Sequence, residues 1–160
     1  MKNLRTSFAC LCMTLCSISA FAQKADPADN IPLNQPDYNK PKLFSNLPDQ
    51  IPVEPNDFTS LLSNKNGNAV EYKFNNTMRI EGEVISVSDA AEKQFSSVVV
   101  RSSNYPGAVM TITKVTDAAT GNISYTGRII SMKHGDLFEL QQKDGKYIFV
   151  KRNFYDLINE

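Results

Sequence analysis

His134 is the one histidine of the chain, and it stands in Lys133-His134-Gly135-Asp136, two positions from a carboxylate. An imidazole within reach of a carboxylate is the minimal pair for general acid–base chemistry. Asp117, in another polar connection, is a second acid that folding could bring beside it. A hydrolase built on His134 also needs a nucleophile. No serine stands in a nucleophile-elbow context. The cysteines, Cys10, Cys12 and Cys16, all fall in the first stretch of the chain. A Gly-Asp turn is equally the ordinary setting of a solvated loop histidine.

Metal and phosphate chemistry find less to work with. One histidine and no cysteine after Cys16 do not make a structural zinc site. The Asp and Glu residues lack calcium-loop spacing. Glu81 and Glu83 share a strand face beside Arg79, which reads as a solvated face rather than a pair of catalytic carboxylates. The glycines are too scattered for a phosphate loop. No catalytic residue, metal or cofactor is therefore assigned. Aromatic residues remain as the handle for binding, because a ring offers an apolar body with a polar tip. Tyr105 sits in Ser103-Asn104-Tyr105-Pro106-Gly107, and Tyr125, Tyr147 and Phe154 follow. The candidate binding residues are Tyr105, Tyr125, His134 and Asp136.

The elements that must position them are strands. Asp144-Gly145 separates two aromatic and aliphatic runs, and Asp-Gly supplies the positive φ angles of a two-residue type I′ hairpin. With those two residues in the turn, Lys143 opposes Lys146, Gln142 opposes Tyr147, Leu140 opposes Phe149 and Phe138 opposes Lys151. Faces alternate along a strand. One face then carries Phe138, Leu140, Tyr147 and Phe149, the core candidates. The other carries Leu137, Glu139, Gln141, Ile148, Val150 and Arg152.

Period-two alternation extends back to Ala69. Val70, Tyr72 and Phe74 precede a turn at Asn75-Asn76-Thr77, and Met78, Ile80, Gly82 and Val84 follow it. The apolar parity then slips at Ile85 and Val87, which predicts a bulge or bend near Val84-Ile85. Further runs centre on Val98-Val99-Val100, on Ala108 to Thr113 and on Ile123 to Ser131. Before them, Phe58, Leu61 and Leu62 recur at helical spacing, with Asn56 or Asp57 as the expected cap. The reading is an all-β domain over 56–160. It is a meander of about seven antiparallel strands rolled into a partial barrel or small sandwich, preceded by one short helix.

The chain ahead of this domain divides in two. Lys2 and Arg5, the apolar or small run Thr6 to Ile18, and Ala20-Phe21-Ala22 fit a secretory signal peptide over 1–22. Cys16 follows Met13-Thr14-Leu15, which departs from the lipoprotein pattern. Cleavage after Ala22 leaves a cysteine-free chain whose 15 basic and 17 acidic residues give a net charge of −2. That balance does not suit nucleic acid, which calls for a clustered basic face. Residues 23–55 hold seven of the eight prolines among Asn, Asp, Gln and Lys. The expectation is a disordered linker. Its isolated apolar residues (Ile31, Leu33, Leu43, Phe44, Leu47, Ile51 and Val53) offer the alternative of docking on a sheet edge.

Asn104-Tyr105-Pro106-Gly107-Ala108, Ser124 to Ser131, His134-Gly135-Asp136 and the end Asp156-Leu157-Ile158-Asn159-Glu160 resemble a group of small exported proteins of Bacteroidetes-type bacteria. The resemblance covers roughly the last 90 residues and implies export and a β-fold, with no activity attached. A fainter likeness is to the β-rich propeptides of secreted metalloproteases, although the cysteine that some of those use to block zinc is missing after Ala22. The expectation is an exported, non-enzymatic binding module of the cell envelope. Its partner would be a protein or glycan of that envelope. The alternatives are a carrier holding a small apolar ligand in a barrel cavity and a hydrolase using His134.

Overall fold

The computed structural model of the chain describes residues 41–89 and 94–154. The expected signal peptide, Ile31, Leu33 and the closing Tyr155 to Glu160 lie outside them. The hairpin forms as its turn residues require. β7 (Asp136–Lys143) and β8 (Lys146–Asn153) pair in the expected register, Lys143 to Lys146, Leu140 to Phe149 and Phe138 to Lys151. Asp144 and Gly145 both take positive φ, 50° and 76°. This is the backbone twist that joins two right-twisted strands through two residues.

Six further strands extend the pairing. β2 (Ala69–Phe74), β3 (Met78–Asp89), β4 (Phe95–Ser102), β5 (Val109–Thr116) and β6 (Ile123–Ser131) form an antiparallel meander leading into β7. The expected slip in parity is a bulge: Val84 opposes Val100 and Ser86 opposes Val99, so Ile85 is the extra residue. The extra residue keeps Val84 and, beyond it, Val87 turned toward the same core.

The eighth strand corrects the sequence reading. β1 (Gln50–Val53) lies inside the stretch expected to be a linker, and it pairs antiparallel with β8. The order across the sheet is β1-β8-β7-β6-β5-β4-β3-β2. Order therefore begins by residue 41 rather than 56. Ile51 and Val53 supply the reason, since both are buried against the core at alternate positions. Pro52 fits because β1 is an edge. Asp49 C=O accepts from Lys151 N–H at 2.8 Å. By alternation Ile51 and Val53 also turn to β8, so Pro52 has its missing donor on the outward side.

The sheet curls until β1 and β2, its two edges, approach each other. α1 (Pro55–Leu62) joins them and sets Phe58 and Leu61 into the concave side. Its cap differs from expectation. Glu54 is the N-cap and Pro55 the first helical residue. Asp57 sits at the third position, where its carboxylate accepts from Glu54 N–H at 3.2 Å. The Phe58 ring lies 5.1 Å from Tyr125, 5.9 Å from Tyr147 and 6.5 Å from Phe149, and Phe74 meets Phe149 at 5.4 Å. The concave side is thus packed with side chains where a carrier would hold its ligand. No helix among the described residues is long and apolar enough to cross a membrane.

Truncating Phe58 removes the plug of this interior. Phe58→Ala is expected to lower the unfolding free energy by about 3–5 kcal/mol. Gln50→Ala, on the exposed side of β1, should change it by less than about 0.5 kcal/mol. Urea denaturation followed by circular dichroism checks both.

Candidate functional site

Three of the four candidate residues converge on one feature, the segment running from Pro41 into β1. Phe44 is its anchor. Leu43 to Asn46 form a turn closed by Leu47 N–H donating to Phe44 C=O at 3.0 Å. The turn drives the Phe44 ring between Tyr105, edge-on at 5.5 Å, and Phe138 at 5.3 Å. The ring is fully buried.

The turn between β6 and β7 grips the main chain just upstream. His134 Nδ1 lies 2.9 Å from Pro41 C=O. A carbonyl oxygen only accepts, so Nδ1 carries the hydrogen and donates. The Asp136 carboxylate, buried at the start of β7, accepts from Leu43 N–H. Lys42 Nζ reaches back and donates to Gly135 C=O at 3.0 Å and His134 C=O at 3.4 Å. On the other side Lys151 donates to Leu47 C=O and pairs with Asp49 at 3.4 Å. Main-chain groups at Pro41, Leu43 and Leu47 thus each find a partner.

These contacts bear on the candidate chemistry. His134 sits in the turn between β6 and β7, half-buried, with its ring against the segment. Its Nδ1 is engaged by Pro41 and the Asp136 carboxylate by Leu43. Both contacts are to main-chain groups of the chain's own segment. A shallow cleft of about 490 Å³ runs beside the segment, bounded by Lys42, Asp49, Asp136, Lys151 and Asn153. Among the described residues, no group of three or more His, Cys, Asp or Glu is placed to hold a metal ion.

Tyr105 is held in its place by its own loop. The Asn104 amide accepts from Glu81 N–H at 2.9 Å and donates to Arg79 C=O at 2.7 Å, stitching the loop to β3. Tyr105 N–H donates to Ser102 Oγ at 3.0 Å. Burial against Phe44 holds the Tyr105 phenol above its ordinary pKa. Tyr125 belongs elsewhere. It stacks on Phe58 and Tyr147, its N–H donates to Tyr147 Oη at 3.1 Å, and its hydroxyl lies 3.4 Å from Thr59 Oγ1. Sequence reasoning put no weight on Lys42, Phe44 or Lys151 as partners of His134 and Asp136. The visible signal was the set of isolated apolar residues in this polar stretch, Phe44 among them.

Asp136→Ala leaves Leu43 N–H without its acceptor. The expected cost is about 1–3 kcal/mol, felt at the segment first. Amide exchange at Leu43 and Ile51 should then quicken more than at Val98, in the middle of the sheet. A second outcome concerns Tyr105. A phenol whose folded pKa is raised contributes stability that is whole below the ordinary tyrosine range and is lost as pH rises through the folded value. Alkaline titration followed by phenolate absorbance should show two late-ionising tyrosines, Tyr72 and Tyr105, and Phe44→Ala should bring one of them back toward the ordinary range. No protein-family model matches the chain, and no match was found among curated proteins or solved structures.

Proposed function

We propose that the domain is a non-enzymatic, exported binding module of the cell envelope that takes extended polypeptide along β8. The observation that carries this reading is the chain's own segment over 41–53. Within this proline-containing stretch Gln50–Val53 adds a strand to β8 and buries Ile51, a turn upstream drops Phe44 into an apolar site, and the main chain at Pro41 and Leu43 is held by His134 and Asp136. This is the chemistry of peptide recognition by strand addition, in which main-chain hydrogen bonds give affinity and alternate side chains give selectivity. The filled concave side favours this reading over a carrier. The engagement of His134 and Asp136 with main-chain groups favours it over a hydrolase.

On this reading the resident segment competes with any partner for the same groove. Its grip sets the affinity that an outside peptide can reach. A fluorescent peptide spanning residues 41–54 tests it. Phe44→Ala in the full chain loosens the resident segment, and the peptide should bind this variant at least about tenfold more tightly than the parent, the factor that a loss of roughly 1.4 kcal/mol from the competitor allows. Anisotropy reads the outcome. A folded Phe44→Ala variant that binds the peptide no better than the parent would overturn the reading.

A further inference from the structure

A second site lies on the convex face, where β6 and β7 part. Their pairing runs only from Ser131–Asp136 to Arg128–Glu139. Beyond it Ile123 to Gly127 and Leu140 to Lys143 continue as strands without facing each other. The Tyr147 hydroxyl takes the place of a strand carbonyl there by accepting Tyr125 N–H from the concave side. On the convex side the parting opens a groove of about 330 Å³.

Its walls are polar and its floor is apolar. Thr111 and Thr126 contribute hydroxyls, Leu137 and Leu140, nearly buried and on opposite faces of β7, the apolar lining, and Arg128 and Glu139 the two charges. Gly127 lies between them because β5 passes too close for anything larger: a Cβ there would meet Ile112 Cδ1 at 2.6 Å and Thr111 C=O at 2.7 Å. The charges are unevenly committed. Arg128 stands directly opposite Glu139. Yet Glu139 turns the other way, accepting from Gln141 Nε2 at 2.8 Å and facing Arg152 at 3.5 Å. Arg128 makes no ion pair among the described residues. The groove therefore holds the Glu139 carboxylate on its β7 side, and an uncommitted guanidinium and threonine hydroxyls on its β5–β6 side.

We infer that this groove binds the acidic residue of a sugar, a pyranose carrying a carboxylate. The volume sits at the low end of ligand clefts and fits one monosaccharide unit. Arg128 pairs with the sugar carboxylate through two parallel N–H···O bonds. Glu139, already oriented by Gln141 and Arg152, accepts from ring hydroxyls. Thr111 and Thr126 both donate and accept, and the accessible edge of Leu140 meets the C–H side of the ring. A carboxylate alone leaves the threonines and Glu139 unused, and a neutral sugar leaves Arg128 unused.

The test is a heteronuclear NMR titration of the full chain with glucuronate, glucose and acetate in parallel. Glucuronate should shift the amides of Thr111, Thr126, Gly127, Arg128 and Leu140 with a dissociation constant on the order of 1 mM, as ligands of this size reach. Glucose and acetate should each bind at least about tenfold more weakly, since each forgoes charge-assisted or hydroxyl contacts. Arg128→Gln should weaken glucuronate by about tenfold or more with the glucose response unchanged, and Glu139→Gln should weaken both sugars. Both positions are solvent-reached, and an unchanged spectrum elsewhere reports that the variants are folded. The inference falls if acetate matches glucuronate, if the shifts persist in Arg128→Gln, or if no shifts gather at this groove.

Discussion

The aromatic packing beneath β8 is the contact on which the rest depends. Phe149 is fully buried and shares its surroundings with Phe58 from the helix and Phe74 from the opposite edge of the sheet. A curled sheet with an apolar concave side needs a cover, because its own strands supply only one wall. In this chain the cover comes from residues that precede the sheet in sequence. Phe44, Ile51, Val53, Phe58 and Leu61 arrive from a single continuous stretch and are all buried. Burial of each such side chain stabilises the fold by roughly 1.5–3 kcal/mol before the entropy of ordering is subtracted. The segment is thus part of the folding unit as well as an occupant of the groove.

Charge plays a smaller part and is placed at the far edge. In the β2–β3 pair, Glu71 opposes Glu81 and Lys73 opposes Arg79, so like charges face each other directly. Arg79 relieves this by pairing with Glu81 along its own strand and with Glu71 diagonally at 3.4 Å. These pairs are exposed and contribute little energy. Their stronger effect is on association. A charged outer face on β2, and Pro52 facing outward on β1, leave neither edge an easy template for an uninvited strand.

The legible part of the fold was the part governed by local rules. Asp144-Gly145 set the register of β7 and β8, and the shifted parity at Ile85 located the bulge. β1 was legible only as the alternative that Ile51 and Val53 dock on a sheet edge; its partner and register were not. Gln50-Ile51-Pro52-Val53 is short, interrupted by proline, and finds its partner roughly a hundred residues later. No local period reports such pairing. The site followed the same division. Tyr105, His134 and Asp136 were picked out by residue type, but their common task emerges only when Pro41, Leu43 and Phe44 lie across them. Tyr125 looked like a surface contact and is instead tied into the helix-side cluster, because Phe58 and Tyr147 flank it. The parting of β6 and β7 leaves no mark in composition, since it arises from where two strands diverge.

Gly135 is where the two ends of the described body meet. Its carbonyl accepts from Lys42 Nζ at 3.0 Å and from Phe154 N–H at 3.4 Å. The first and last described segments therefore leave the sheet side by side, at the same end of the β1–β8 ladder. Tension applied between residues 41 and 154 would load that ladder as a zipper, one rung after another, instead of shearing all rungs together. Within the ladder, Asp49–Lys151 would give way first and Val53–Tyr147 last. Held by its two ends, the domain would give up the contacts of Pro41, Leu43 and Phe44 first and then the β1–β8 rungs, uncovering the groove of β8 ahead of the meander from β2 to β7.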